Sequence, residues 1–161
     1  MGLGCQRVTR FHNRQLAQLE RSVHGRRVAS ITREVTLNVE AEVVWTAVRD
    51  VGAVATKLAP GVVKESSLEK GMRHVTFANG LMIEELIVTI DEAARRVVYA
   101  VQGRAKHHQA SMQVTDDGPK QSRFVWITDV LPDEAASRFA NMMDQALSVI
   151  KRTLESNAHH T

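Results

Sequence analysis

Three observations predict an α+β fold in which a seven-stranded antiparallel sheet curls around one long C-terminal helix, with two short helices after the first strand. Residues 31 to 39 alternate apolar and polar side chains, the period of a half-buried strand. Turn signals then break residues 62 to 131 into six short apolar-rich runs. After Pro132, Phe139, Met142, Met143, Ala146, Leu147, Ile150 and Leu154 recur at three- and four-residue spacing, the stripe of an amphipathic helix.

In chain order, Ile31, Arg33, Val35, Leu37 and Val39 alternate with Thr32, Glu34, Thr36 and Asn38 along the first strand, and Asn38 is placed to cap the helix after it. Ala41 to Arg49 is rich in helix formers, with Val44, Trp45 and Val48 on one face. A second short helix is predicted from Ala53 to Leu58, ahead of Pro60-Gly61. Strands are expected at 62–68, 72–78, 81–90, 95–102, 106–115 and 122–131. Among the breaks between them, Asn79-Gly80 reads as a tight primed turn, because both residue types tolerate positive φ. Pro132-Asp133-Glu134 suits the start of the last helix, placing negative charge at the positive end of its dipole.

Only that helix is long and apolar enough to cover the sheet. A strongly twisted seven-stranded sheet curls, and one helix does not fill the concavity, so a cavity is expected between them. The domain should span 28–156, after a basic extension over 1–27 that is flexible or a short helix near Gln15 to Val23, and before a frayed tail at 157–161.

Composition narrows the function classes. Hydrophobic content of 43% and charged content of 24% are those of a globular domain, and no apolar run approaches the ~20 residues of a membrane span. The single cysteine, Cys5, has no internal disulfide partner, which with the lack of a secretory h-region fits a cytoplasmic setting. Six arginines against Glu20 give residues 1–27 a charge of +5, leaving −2 for the remainder. Phe11 is the single Phe, Tyr or Trp among these arginines, too little for a stacking platform, so no nucleic-acid partner is expected. The basic segment instead suits a solvated extension, or contact with a partner or anionic surface. Monomer and homodimer are both open.

Candidate site residues come from strand faces. Met82, Glu84, Leu86, Val88 and Ile90 share one register, in which Glu84 is the single carboxylate. The row is read as facing the apolar interior, which makes Glu84 a ligand anchor or general acid/base, or else a carboxylate paired with Arg73. His108 stands in the same relation to Ala110, Met112 and Val114, as a polar partner for Glu84 or a satisfied core histidine. Adjacent His107 points the opposite way, so the two do not chelate one metal, and neither metal nor cofactor is expected. Tyr99 lies in register with Val97 and Val101. On the last strand Phe124, Trp126, Thr128 and Val130 form the more hydrophobic face, with Arg123, Val125, Ile127 and Asp129 opposite, and a bulge would switch the two. Trp45, Phe139, Met142 and Met143 are core or pocket lining.

Val43-Val44-Trp45 through Asp50, Gly71-Met72-Arg73, Asn79-Gly80 leading to Glu84-Glu85-Leu86, Asp91 to Tyr99, the His107-His108 strand, Val125-Trp126 and the long last helix together resemble the START-related superfamily, the helix-grip or polyketide cyclase/dehydrase-like proteins. The likeness covers about residues 28 to 155. It implies a helix-grip fold and a small hydrophobic, aromatic or lipid-like ligand between sheet and helix. In the plant abscisic-acid receptors of that superfamily a Glu of a Glu-Arg-Leu motif points into the pocket; Glu84 before Glu85-Leu86 is similar, and Arg73, Val75 and Phe77 match a pocket-lining strand. The gate loops of those receptors are missing here. The leading expectation is therefore ligand binding by Glu84, His108, Arg73, Val75, Phe77, Met82, Leu86, Tyr99, Met112, Trp126, Phe139, Met142 and Met143. The alternatives are a cyclase or dehydratase moving protons through Glu84 and His108, and an interaction module acting through the basic N-terminus.

Overall fold

The computed structural model of the chain describes residues 27–103 and 106–158. The segment up to residue 26, including the helix expected at Gln15 to Val23, and residues 159–161 lie outside them. Seven strands, β1 (Ala29–Leu37), β2 (Val63–Glu69), β3 (Met72–Phe77), β4 (Met82–Asp91), β5 (Arg96–Val101), β6 (His107–Asp116) and β7 (Ser122–Leu131), form one antiparallel sheet in the order β1-β7-β6-β5-β4-β3-β2. Helix α1 (Ala41–Val48) comes after β1, and a 3-10 turn at Asp133–Ala135 leads into α2 (Ala136–Ala158). The predicted architecture is the observed one, a sheet gripping a long C-terminal helix.

The core sits between the concave face and the helices. Alternation puts Ile31, Leu37, Val97, Tyr99, Ala110, Met112, Val114, Phe124, Trp126 and Val130 inside, where they meet Met143, Ala146, Leu147, Ile150 and Leu154 of α2 and Val44, Trp45 and Val48 of α1. Pairing along β7 is continuous on both sides, so no bulge switches its faces and Asp129 points outward. Polar contacts hold α2 along β1: Arg33 Nε donates to Asp144 Oδ1 at 2.6 Å, and Lys151 Nζ to the Thr36 carbonyl at 2.6 Å. Trp45 Nε1 donates to Glu92 Oε2 at 2.7 Å, fastening α1 to the β4–β5 hairpin.

Local chemistry departs from expectation at four places. Val54–Leu58 is a turn of π-helix, closed by the Ala59 N–H on the Val54 carbonyl at 2.8 Å. Asn38 does not cap α1; its backbone N–H and side-chain amide both donate to Glu155 Oε1. The tight primed turn falls at Lys70-Gly71, whose φ values of 50° and 81° are both positive, between the paired Glu69 and Met72. At Asn79-Gly80 only Gly80 is left-handed, with φ 81°. There the Gly80 N–H donates to the Phe77 carbonyl at 2.9 Å and the Phe77 N–H to the Leu81 carbonyl at 2.8 Å, which makes a three-residue loop, Ala78 to Gly80.

Phe124 is fully buried beneath α1 and α2. Phe124→Ala is expected to cost about 3–5 kcal/mol in urea unfolding, whereas Arg123→Ala, next along the strand and exposed, should stay within about 0.5 kcal/mol.

Candidate ligand site

The three-residue loop decides which side of β4 faces the interior. A two-residue Asn79-Gly80 turn would set Val75 against Glu84; the observed loop sets Val75 against Ile83, His74 against Glu84 and Arg73 against Glu85. A slip of one residue exchanges the two faces of a strand. The inward side chains are therefore Ile83, Glu85 and Ile87, and the expected inward row is corrected. Glu84, 61% exposed at its side chain, sits on the outer face with His74 Nδ1 at 3.5 Å. Met82 and Leu86 are likewise outward, 66% and 42% exposed. A bulge then places Val88 and Thr89 opposite Val98 and pairs Ile90 with inward Val97, so Ile90 does not share the face of Val88.

The buried acid is Glu85, 5% exposed, bound by Arg73, 4% exposed, whose Nε donates to Glu85 Oε2 at 2.5 Å. Burial raises the Glu85 pKa and the Arg73 charge opposes that rise. The guanidinium carbon lies 4.5 Å from the centroid of the Tyr99 ring, a cation–π contact inside the protein. Burial first, and then the Glu85 charge, push the Tyr99 hydroxyl upward, so it stays protonated. Near it stands Trp126, whose Nε1–H is buried and, among the described residues, has no hydrogen-bond partner. The indole and the Arg73 guanidinium nevertheless lie close enough to the Tyr99 hydroxyl to oppose the rise in its pKa. A buried donor left unpaired costs about 1–3 kcal/mol.

His108 faces inward from the start of β6, half-buried, its ring edge-on to Phe139 of α2 with centroids 4.6 Å apart. Burial, then nearby His107, lower its pKa to about 4, so at neutral pH it is an uncharged imidazole. Glu84 and His108 do not share a space, and a proton relay between them has no geometry here. Met142 also leaves the expected lining: it lies off the Met143, Ala146, Leu147, Ile150 stripe and is 36% exposed. Val75, Met112 and Met143 are buried and Phe77 and Phe139 half-buried.

Coverage of the concave face is uneven. Leu37, Val114, Phe124, Ile150 and Leu154 are sealed at one end. Inward Phe77, Ile83, Ile87, Val101, His108 and Phe139 are only half-buried and remain in reach of solvent, while Val75, Val97 and Tyr99 on the same strands are buried. Outside, Glu84, Met82, His74, Thr76, Gln102 and Gly103 contribute to an open depression of about 410 Å³. Among the described residues no cluster of three or more His, Cys, Asp or Glu is arranged to hold a metal, and no helix is long and apolar enough to cross a membrane.

The sequence matches a family model described as polyketide cyclase/dehydrase and lipid transport over residues 28–155. The chain belongs to this family. Comparison with curated proteins finds no match. Among solved structures, an uncharacterized protein from Bacillus thuringiensis aligns at a TM-score of 0.68 and 16% identity, over 80% of this chain and 98% of its own. Norcoclaurine synthase from Thalictrum flavum, in complex with dopamine and hydroxybenzaldehyde, aligns at 0.66 and 14%, over 83% and 88%. A START superfamily protein from Mycobacterium smegmatis gives 0.63 and 13%, over 81% and 97%. At these identities the likeness to solved structures is one of fold.

Within this polyketide cyclase/dehydrase-family chain, Glu85 and not Glu84 carries the interior charge, and stability reports it. Arg73→Met should cost about 3–5 kcal/mol at pH 7 by leaving a buried carboxylate uncompensated. Because the loss of Arg73 raises the Glu85 pKa further, the native state takes up a proton more readily and the cost should shrink as pH falls. Glu84→Ala should change stability by no more than about 0.5 kcal/mol.

His108 gives the opposite slope. Its folded pKa of about 4 lies below the ordinary 6.5, so its contribution is complete above pH 6.5 and lost as pH falls toward 4. His108→Phe should flatten that acid limb by on the order of 1 kcal/mol, allowing for the partial exposure of the ring. Denaturant titrations from pH 4 to 7 check both slopes.

Proposed function

We propose that the chain binds a small apolar, aromatic-type molecule on the half-open part of the concave face, between the sheet and the first turns of α2. The observation that carries this reading is the uneven coverage: large inward side chains at one end stay half-exposed while their counterparts at the other end are sealed. Phe77, Ile83, Ile87 and Phe139 supply apolar walls, Tyr99, Met112 and Trp126 the floor, and His108 stands at the mouth. Burial of ligand surface drives binding at roughly 25 cal/mol per Å². The family description, with its polyketide and lipid chemistry, supports the ligand class. So does norcoclaurine synthase, whose structure on this fold is a complex with dopamine and hydroxybenzaldehyde.

The test is titration with 1-anilinonaphthalene-8-sulfonate, read by fluorescence. Saturable one-to-one binding is expected, weakened about tenfold or more by Phe139→Asp, which places charge in the apolar wall. Val88→Asp, on the outer face, should leave binding unchanged. Loss of binding in the outer-face variant with retention in Phe139→Asp would move the ligand to the convex side and end the reading.

A further inference from the structure

The half-buried side chains of the concave face lie beside the point where the chain enters the sheet. β1 begins at Ala29, which pairs with Val130, and Val130 pairs in turn with His108. Two strand spacings, about 10 Å, therefore separate the entry from His108. Val101, Ile83 and Phe77 continue the half-buried set across β5, β4 and β3, and Phe139 of α2 meets His108 edge-on. Together they make an apolar surface that the described elements cover only in part.

Residues 1–26, outside the described residues, lead into this end with a pattern that the binding reading leaves unused. Val8, Leu16, Leu19 and Val23 recur at the spacing of one helix face, and Arg7, Arg10, Arg14 and Arg21 fall on the opposite face. Gly25 is a fitting stop for such a helix. The residues between Val23 and Ala29 reach up to about 16 Å when extended, more than the distance to His108. A helix over residues 8–23 is about 24 Å long, enough to cross the three strand spacings from β6 to β3, about 14 Å. The apolar members of its stripe are all aliphatic, a weak membrane anchor. A surface within so short a tether, by contrast, meets the stripe at an effective concentration on the order of millimolar. The charge of +5 on residues 1–27 against −2 on the remainder also favours return to the body.

We infer that residues 8–23 fold back as an amphipathic helix, seating Val8, Leu16, Leu19 and Val23 on Phe139, His108, Val101, Ile83 and Phe77, with the arginines turned to solvent. The chain thereby supplies a cover for its own concave face. The seating does not depend on the binding reading, but where that reading holds the segment competes with the ligand for the same side chains.

The test uses the full chain at pH 7 with Cys5→Ser and Gln18→Cys, so that a nitroxide is carried at one position on the polar face. Amide NMR signals of His108 and Phe139 should be broadened by the label, and those of Val114 and Leu154, at the sealed end, should keep their intensity. Adding Leu16→Asp and Leu19→Asp should abolish the broadening and, where the binding reading holds, tighten 1-anilinonaphthalene-8-sulfonate binding about threefold or more. Broadening at His108 and Phe139 with no dye binding by either chain would end the binding reading and leave the seating in place. Absent or uniform broadening, or broadening that survives the two leucine substitutions, would overturn the inference. Absent broadening together with sedimentation of the parent chain, but not of the leucine variant, on vesicles of phosphatidylcholine and phosphatidylglycerol would assign the stripe to an anionic membrane instead.

Discussion

The ion pair between Arg73 and Glu85 is the constraint on which the arrangement of the interior depends. Two charged side chains, each about 5% exposed, lie opposite one another on adjacent strands, where neither is tolerable alone. Shifting β4 by one residue against β3 would set Arg73 against Leu86 and bring Glu84 inside beside Val75. The pair and the three-residue loop at Ala78 to Gly80 enforce the same register, one by charge and the other by hydrogen bonds. That register dictates the inward placing of Ile83 and Ile87, the outward placing of Met82, Leu86 and Val88, and the seat of the guanidinium on Tyr99.

The sequence announced the architecture through strong periodic signals, and the site through weaker ones. Alternation in Ile31 to Leu37, apolar spacing from Met143 to Leu154 and turn residues between strands each pointed to the element that forms, because burial of one face dictates those patterns. In β4 the same reasoning pointed to the wrong face. Met82, Leu86, Val88 and Ile90 outnumber Ile83 and Ile87, and each face holds one Glu, so hydrophobic count alone favours the side that proves solvated. The available signal was cross-strand: with Arg73, Val75 and Phe77 inward on β3, a three-residue loop sets Arg73 opposite Glu85, which gives the buried cation its anion. Asn79-Gly80 does not disclose by itself whether one or both of its residues are left-handed, and that difference moved the acid by one position. Met142 shows the same limit on a helix. Its neighbour Met143 lies on the buried stripe, and one residue of rotation carries Met142 to the rim.

The core is divided between sealing and access. Where α1, α2 and β7 converge, Phe124, Leu37 and Ile150 are buried completely, and the polar ties of Arg33, Lys151 and Glu155 keep α2 against β1 at that side. Toward the start of α2 and the ends of β3 to β5 the covering thins, and His108 and Phe139 meet edge-on as a half-buried pair. An uncharged histidine suits that position, since protonation would bring a charge against an aromatic edge and a partly desolvated surface. Complete burial and partial burial of the large inward side chains thus fall on different parts of the concave face.

A polar cluster inside an apolar core is not explained by stability. Replacing a buried ion pair with well-packed apolar residues is often neutral or stabilising, and a Leu–Met pair at Arg73 and Glu85 would fill the same space. Such a pair would not hold the Tyr99 ring through its face. What the ion pair does provide is a buried corner that is locally neutral, the Arg73 cation being spent on Glu85, and a fixed register between β3 and β4.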